Sequence, residues 1–469
     1  MRTALKQNGL YFLHNTSNIT IHIHVHTQYV YPSSACHIRV IIHVRHSGRK
    51  LCDGIYPHEM KNTPHKKSKT LSSFSGKMGT MSAEKKKKIS ILEKILTIAV
   101  IMGVTSALYL YTSGYRLDKG KGSTIDLAKT GMISAKSLPD GASVYLDGKL
   151  MTATNDTLSG IAPGKHKIKI EKKGFVPWNK EIEIYEELVT DITAVLVSQS
   201  PRLEPLTNTG AKYPSISPSQ NKIAYFSEDG EKPGVWVTSL NGAGIGLFRN
   251  TSVMAVQDTK FVKYSQGKSI EWSPDETQLL LQASNDTYYL VDLASNTAST
   301  AYAPDEIRQG WQELLLEKRK VLVEKLEVPE NIKQLALSSR AFWAPDDKKF
   351  LYTIQSGDTL EYRTYNFERP IPIGEKIENT AFTTNLNDTQ PKVSWYSDSF
   401  HLILVEGNIE QDKRGVISLI RIDGTNKVEV YNNTLMFNSV FAVPSGDKII
   451  VLTSFKSGEQ TDLYTVGIR

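Results

Sequence analysis

Cysteine is almost missing from this chain: its 469 residues hold two, Cys36 and Cys52, and none follows. No disulfide can staple anything beyond residue 52. Every downstream domain must therefore be held by an apolar core, which suits an extracytoplasmic body that does not rely on oxidation. Histidine is as scarce where chemistry would need it, since nine of the eleven lie before residue 80 and only His166 and His401 follow. A zinc site or a histidine-based triad in the body of the protein is not expected. No Gly-x-Ser-x-Gly elbow and no Gly-x-x-x-x-Gly-Lys-Ser/Thr loop occurs, which removes the nucleophile of an α/β-hydrolase and the phosphate cradle of a P-loop enzyme. The expected sets of catalytic residues, cofactors and metal ligands are all empty.

Excess charge is confined to one end. The formal net charge is +7, but residues 1–80 carry 11 Lys/Arg against 2 Asp/Glu, leaving 45 against 47 for residues 81–469. The body is not basic, so nucleic acid is not an expected partner. Residues 1–80 also hold His22, His24 and His26 on one face of a would-be strand, a set that suits a transition metal but has no acidic or cysteine partner at matching spacing. The segment lacks a core pattern and reads as a leader outside the working protein, with Met81 as the expected start of translation.

From Met81 a short basic segment, residues 81–94, runs straight into an uncharged apolar one. Ile95 to Tyr111 has no charged residue, and residues 95–112 are expected to form a transmembrane helix. Lys85 to Lys88 and Lys94 precede it, and Tyr109, Tyr111 and Tyr115 gather at its far end as an interfacial belt would. The positive-inside rule predicts a single-pass protein with a cytoplasmic N-terminus and C-terminal domains outside the cytoplasmic membrane. Bulky Leu108 to Tyr111 argue against signal-peptidase cleavage, so the anchor is expected to persist.

Residues 113–130, with their Gly/Lys/Ser tip, read as a linker. Residues 131–198 alternate short strands and turns. Asp140-Gly141 and Asp147-Gly148 are hairpin signals, because these pairs accept the positive φ of a tight turn. Strict alternation of Lys165, Lys167 and Lys169 with His166, Ile168 and Ile170 predicts a half-buried strand in a small antiparallel sheet or sandwich. With Lys172 and Lys173 those lysines make a basic ridge, read mainly as a solvated face.

The segment resembles the PEGA domain. It carries Pro139-Asp140-Gly141-Ala142, then Val144-Tyr145-Leu146-Asp147-Gly148, Leu158 with Ile161-Ala162-Pro163-Gly164-Lys165-His166, and Gly174-Phe175 with Trp178. Aspartate at 140 departs from the family's glutamate and leaves the turn chemistry intact. The resemblance implies a surface-exposed β module of envelope proteins, without catalysis of its own.

From residue 201 to 469 one phrase returns five times, as in "IEWSPDETQLLLQAS" and "AFWAPDDKKFLYTIQ". Trp272, Trp343 and Trp395 hold equivalent places, as do Pro218, Pro274, Pro345 and Pro444, and their spacing implies a unit of about fifty residues with four strands. Such units close into a ring that removes sheet edges. The phrase resembles blades of TolB-type propellers and of those preceding prolyl oligopeptidase catalytic domains, although no such catalytic domain follows here. Five to seven blades are expected, a sixth being sought near "VMAVQDTKFVKYS". Residues 304–337 interrupt the rhythm: Leu314, Leu315, Val321, Leu322 and Leu326 fall at helical spacing, so an amphipathic helix pair is expected over one face of the ring. Asp275, Asp346, Asp347 and Asp398 sit in inter-strand turns, where Asp is favoured for local hydrogen bonding.

The expected fold is mainly β: one transmembrane helix, a small PEGA-like sandwich and a propeller with a helical insertion. The expected function is a membrane-anchored, non-enzymatic binding or scaffold protein whose partners are the membrane, through one helix, and an envelope protein, peptide or glycan. A surface hydrolase using carboxylates of the propeller face is the alternative.

Overall fold

A computed structural model describes residues 10–11, 19–26, 39–46, 83–112, 115–119, 125–228, 231–240, 252–454 and 460–469. The protein divides into two compact units, Met1–Lys85 and Lys86–Arg469. In the first, β1 (Leu10–Tyr11), β2 (Ile19–His26) and β3 (Arg39–His46) form an antiparallel sheet in which His22 pairs with His43 and His24 with Ile41. The side chains of His22, His24 and His26 lie outside the described residues, as does Met81.

Helix α1 spans Ala83–Thr112, and its stretch Glu93–Thr112 is long and apolar enough to cross a membrane. Twenty residues at about 1.5 Å each cover the roughly 30 Å of a bilayer core. Apolar side chains stand exposed on every side of it, and Thr97, Thr105 and Thr112 return their hydroxyls to the carbonyls of Glu93, Ile101 and Leu108 at 2.8, 2.8 and 2.9 Å. The three hydroxyls thus make no polar stripe, which is what a lipid-facing helix requires. Beyond it the expected linker proves to contain a hairpin, β4 (Tyr115–Lys119) paired with β5 (Ile125–Lys129). Each half alternates apolar and polar residues, a short period-2 signal that the Gly/Lys/Ser tip obscured.

Seven strands follow: β6 (Gly131–Leu138), β7 (Ser143–Leu146), β8 (Lys149–Ala153), β9 (Asp156–Ile161), β10 (Gly164–Glu171), β11 (Trp178–Ile184) and β12 (Val189–Val195). They form two sheets, β11-β10-β7-β8 and β12-β6-β9, over a core of Ile133, Val144, Ile168, Ile170, Trp178 and Ile184. The sandwich is not wholly antiparallel, since β6 and β12 pair in parallel. The Asp147-Gly148 turn has φ of 49° and 81°, the doubly positive geometry of a two-residue hairpin. Two lysines of the ridge are neutralised: Lys165 pairs with Glu181 of the neighbouring β11 at 3.6 Å, and Lys169 with Glu171 of its own strand at 2.8 Å.

The propeller has five blades among the described residues. After β13 (Leu203–Pro205) come blade 1, β14 (Ala211–Ile216), β15 (Lys222–Ser227), β16 (Gly234–Ser239) and β17 (Ser252–Gln257), and blade 2, β18 (Ser269–Trp272), β19 (Gln278–Gln282), β20 (Tyr288–Asp292) and β21 (Thr297–Thr300). Helices α2 (Pro304–Glu324) and α3 (Glu330–Ala336) intervene before blade 3, β22 (Phe342–Trp343), β23 (Lys349–Ser356), β24 (Thr359–Asn366) and β25 (Glu378–Asn385). Blade 4 is β26 (Lys392–Trp395), β27 (His401–Glu406), the turn α4 (Ile409–Asp412), β28 (Arg414–Arg421) and β29 (Val428–Thr434). Blade 5 takes β30 (Phe441–Ala442), β31 (Lys448–Thr453) and β32 (Asp462–Gly467), and its outer edge is closed by β13 from the start of the ring. The stretch sought as a sixth blade is the outer strand of blade 1, β17, followed by a short turn of 3-10 helix at Tyr264–Gln266.

The end of the sandwich joins a core of the propeller: Val195 and Val197 pack with Ile403, Ile417, Val451 and Ile468 of blades 4 and 5. Polar locks reinforce the joint. The Asn426 side-chain amide accepts from Asn179 N and donates to Asn179 O, both at 3.0 Å. Lys180 of β11 reaches Asp423 at 2.9 Å and Glu375 at 3.6 Å, and the buried Arg421 binds both carboxylates from the other side.

Candidate binding channel

Each blade begins with the same local device. The inner strand ends in a tight turn whose third residue, Gln220, Glu276, Asp347, Ser399 or Gly446, has φ between 54° and 61°, and whose amide donates back three residues at 2.8–3.1 Å. This is a type I turn closed by a left-handed residue, a three-residue hairpin loop that reverses direction without splaying the strands. Aspartates stabilise it as their positions suggested. Asp275 accepts from Ser273 Oγ at 2.6 Å and from Thr277, contacts that hold its carboxyl below the ordinary range. Asp346 accepts from Lys348 N and Lys349 Nζ, and Asp398 from Phe400 N, His401 N and His401 Nδ1.

The tryptophans read as blade-core positions bind one blade to the next. Trp272 Nε1 donates to Ser215 O of blade 1 at 3.1 Å, and Trp395 Nε1 donates to Phe342 O of blade 3 at 2.9 Å. By the same register Trp343 should reach Glu271 in blade 2. Instead it donates to Ala336 O of α3 at 2.9 Å, while Arg308 of α2 takes the Glu271 carboxylate at 2.7 Å and lies over the Tyr288 ring.

Apolar clusters follow the same rule. They join blades 1 and 2, 3 and 4, 4 and 5, and 5 and 1, whereas blade 3's aromatic set of Trp343, Phe350, Tyr365 and Phe367 closes on Val323 and Ala336 of the two helices. The insertion thus wedges into the blade 2/3 joint. The expected apolar stripe needs a correction. The buried anchor is Val323, which lies outside the expected set, while Leu314, Val321 and Leu322 of that set are 59%, 50% and 37% exposed. Periodicity identified the helix but could not tell which of two apolar flanks meets the scaffold.

Inside the ring lies a cavity of about 1060 Å³, lined by the inner strands of all five blades, by the turns of blades 1 to 3 and by Leu314, Leu315, Lys318 and Arg319 of α2. That is the size of a ligand site rather than a packing defect. Its walls mix apolar Ile216, Trp272, Phe342, Val393 and Phe441 with charge. All three acids are committed. Asp275 is held as above, Glu276 accepts from Ser219 N at 2.6 Å, and Asp347 pairs with Lys318 at 2.8 Å. Burial alone would raise the Glu276 pKa, yet its hydrogen bonds from Ser219 and Ser217 and the charge of Lys222 keep it low. Of the turn aspartates, Asp275 and Asp347 border this space and Asp346 and Asp398 do not. No group of three or more His, Cys, Asp or Glu side chains among the described residues could hold a metal ion.

Residues 130–200 match the PEGA domain family. The match covers the sandwich, where the motif residues serve as turns and core: Ala142, Val144, Leu146, Leu158, Ile161 and Trp178 are buried. Asp147 accepts from Lys167 N and faces His166, so the PEGA hairpin is tied to its central strand through that aspartate. No curated protein matches the sequence. Among solved structures it is similar to TolB from Acinetobacter baumannii, at 14% identity over 65% of this protein with a TM-score of 0.23. The match spans 60% of the length of that TolB. It is also similar to the β-propeller domain of the Trilobed protease from Pyrococcus furiosus (14% identity, 73% of this protein, 85% of that one, TM-score 0.19) and to an oligogalacturonate lyase from Vibrio parahaemolyticus (8%, 58%, 94%, 0.23). At these scores the likeness carries no more than the sheet topology already shows.

Proposed function

We propose that this protein is a membrane-anchored binding or scaffold protein of the cell envelope, which holds its propeller outside the cytoplasmic membrane to receive a protein, peptide or glycan. The observation that carries the reading is the channel, a cavity of about 1060 Å³ to which every blade contributes and to which the helical wedge adds a wall. Two features support it. The stretch Glu93–Thr112 of α1 is apolar and has the length to anchor the protein. Val195 and Val197 at the end of the PEGA domain pack into the core of blades 4 and 5, which supports its reading as a spacer rather than a loose tether. Action by recognition, without chemistry, is part of the proposal: the acids bordering the channel are tied up in turn and ion-pair contacts rather than left as an opposed acid and base.

Single cysteines placed in a Cys36→Ser/Cys52→Ser background test the topology. Ser82→Cys lies before α1, and Ser284→Cys lies in an exposed turn of blade 2. A membrane-impermeant thiol reagent applied to intact cells is expected to label Ser284→Cys and spare Ser82→Cys. Protection of Ser284→Cys until lysis would place the propeller inside and overturn the reading.

A further inference from the structure

Arg319 is a cation of the channel wall for which the described residues provide no carboxylate. The guanidinium groups of Arg308, Arg363 and Arg421 are each engaged by a carboxylate, at 2.7, 2.7 and 2.5 Å. Among the described residues Arg319 has neither an ion pair nor a hydrogen bond; its guanidinium lies over the Trp343 ring at 5.4 Å. The nearest acid on that wall, Asp347, is taken by Lys318 at 2.8 Å. Burial pushes the Arg319 pKa down, and the charge of Asp347 offsets that only in part. A half-buried, pre-oriented guanidinium with free N–H donors is the arrangement that takes a planar anion in a bidentate grip. Lys392 of β26 borders the same channel, is exposed, and likewise has no partner among the described residues. With all three bordering acids committed, the channel holds two available cations and no available carboxylate.

The wall beside these cations includes exposed apolar surface. Leu314 and Phe342 form part of it while 59% and 46% exposed, next to Ile216, Val393 and Phe441. Large apolar side chains left open in a concavity call for an apolar ligand group. Ile216, Leu314 and Val393 give this stretch of wall an aliphatic surface, which suits the apolar side chains of a peptide better than the hydroxyls of a saccharide.

We propose that the channel receives an extended peptide segment carrying a carboxylate next to apolar side chains, with Arg319 as the carboxylate anchor and Lys392 as a supporting charge. This rests on the reading of the propeller as a binding platform and names the ligand class of that site. The carboxylate can come from a peptide's C-terminus or from an Asp or Glu side chain.

The test presents the full-length protein in lipid nanodiscs to a synthetic array of random octapeptides in two forms, with free and with amidated C-termini, and separately to a uronic-acid tetrasaccharide. Peptides retained by the wild type are expected to place Leu, Ile, Phe or Met beside a carboxylate. Retention of only the free-acid form identifies the terminus as the source, and retention of amidated peptides bearing Asp or Glu identifies the side chain; either supports the proposal. Arg319→Gln should weaken binding about tenfold or more, and Arg319→Lys should restore only part of it, since lysine keeps the charge but not the fork. Because Arg319 also covers Trp343, Lys392→Ala is read in parallel, with an expected loss of about threefold, and urea midpoints of all variants are compared with wild type. Peptides held equally well by Arg319→Gln would overturn the anchor while leaving the platform standing. Tetrasaccharide bound through Arg319, with no peptide retained, would overturn the ligand class. Retention of neither probe by the wild type would overturn this ligand class, while the cysteine-labelling experiment decides the platform reading separately.

Discussion

Replacing Lys180 by methionine removes one charge from a network of four at the joint between PEGA domain and propeller. In the wild type Lys180 and Arg421 face Glu375 and Asp423, and their side chains are only 13%, 6%, 11% and 14% exposed. Two positive and two negative charges balance. The variant keeps a similar stem but leaves Arg421 alone with two carboxylates, one of them uncompensated in a poorly solvated place. Removing one partner of a buried pair costs about 3–5 kcal/mol, and the lower figure, about 3 kcal/mol, applies because Arg421 still touches both acids.

The pH dependence gives the prediction a second edge. Burial works to raise the Asp423 pKa, but the charges of Arg421 and Lys180 outweigh it and hold the carboxyl far below its ordinary value. A depressed carboxyl contributes stability above its unfolded pKa and loses it as pH falls. Without Lys180 that contribution shrinks, so variant and wild type should converge in acid, below about pH 4. Urea unfolding of the full-length protein, followed by tryptophan fluorescence, reads both effects. With a slope of about 3 kcal/mol per molar, the midpoint at pH 7 should drop by about 1 M. Lys180→Met combined with Asp423→Asn restores neutrality and should recover part of the loss. An unchanged midpoint at pH 7, or a loss that stays constant into acid, would refute the reasoning.

Phe350→Ala should cost about 3–5 kcal/mol in the same urea assay, because Phe350 is fully buried and its ring meets Trp343, Tyr365 and Phe367 in the cluster shared with the helical wedge. The PEGA domain should lose stability as pH rises above about 6.5. Burial lowers the His166 pKa, but Asp147 at 2.7 Å on Nδ1 and Ala162 O at 2.8 Å on Nε2 both favour the doubly protonated ring and leave a net rise. That contribution is complete below the unfolded pKa and disappears as pH climbs through the folded one; His166→Gln should flatten the dependence, and NMR titration of the ring checks the direction. Gly131→Ala should disrupt the start of β6, since a Cβ there would stand 2.4 Å from Tyr185 O; a wild-type urea midpoint would contradict this.

Much of the architecture is legible in local signals. Two Asp-Gly turns, the alternation of β10 and the five returning strand-turn-strand phrases are short-range patterns whose physics, positive φ at a turn and period-2 burial, acts within a few residues. The apolar helix before them is of the same kind, since its length and lack of charge are properties of the segment alone. Turn aspartates such as Asp275 and Asp398 were readable for that reason too, because their hydrogen bonds go to amides two or three residues away.

What tertiary structure alone decided is everything that depends on which distant residues meet. The number of blades required knowing that Ser252–Gln257 pairs with β16 instead of opening a new sheet. The place of the insertion required knowing that Arg308 would meet Glu271 and that Trp343 would find Ala336, as no pattern of leucines specifies a joint between two blades. The Lys165–Glu181 pair, the four-charge lock and the place of Arg319 over Trp343 all turn on partners in other elements of the fold. Residue types and their spacing determined the elements and their order, because those energies are local; the channel and its charges came from packing, because a residue's partner in space is set by the closed ring and not by its neighbours in sequence.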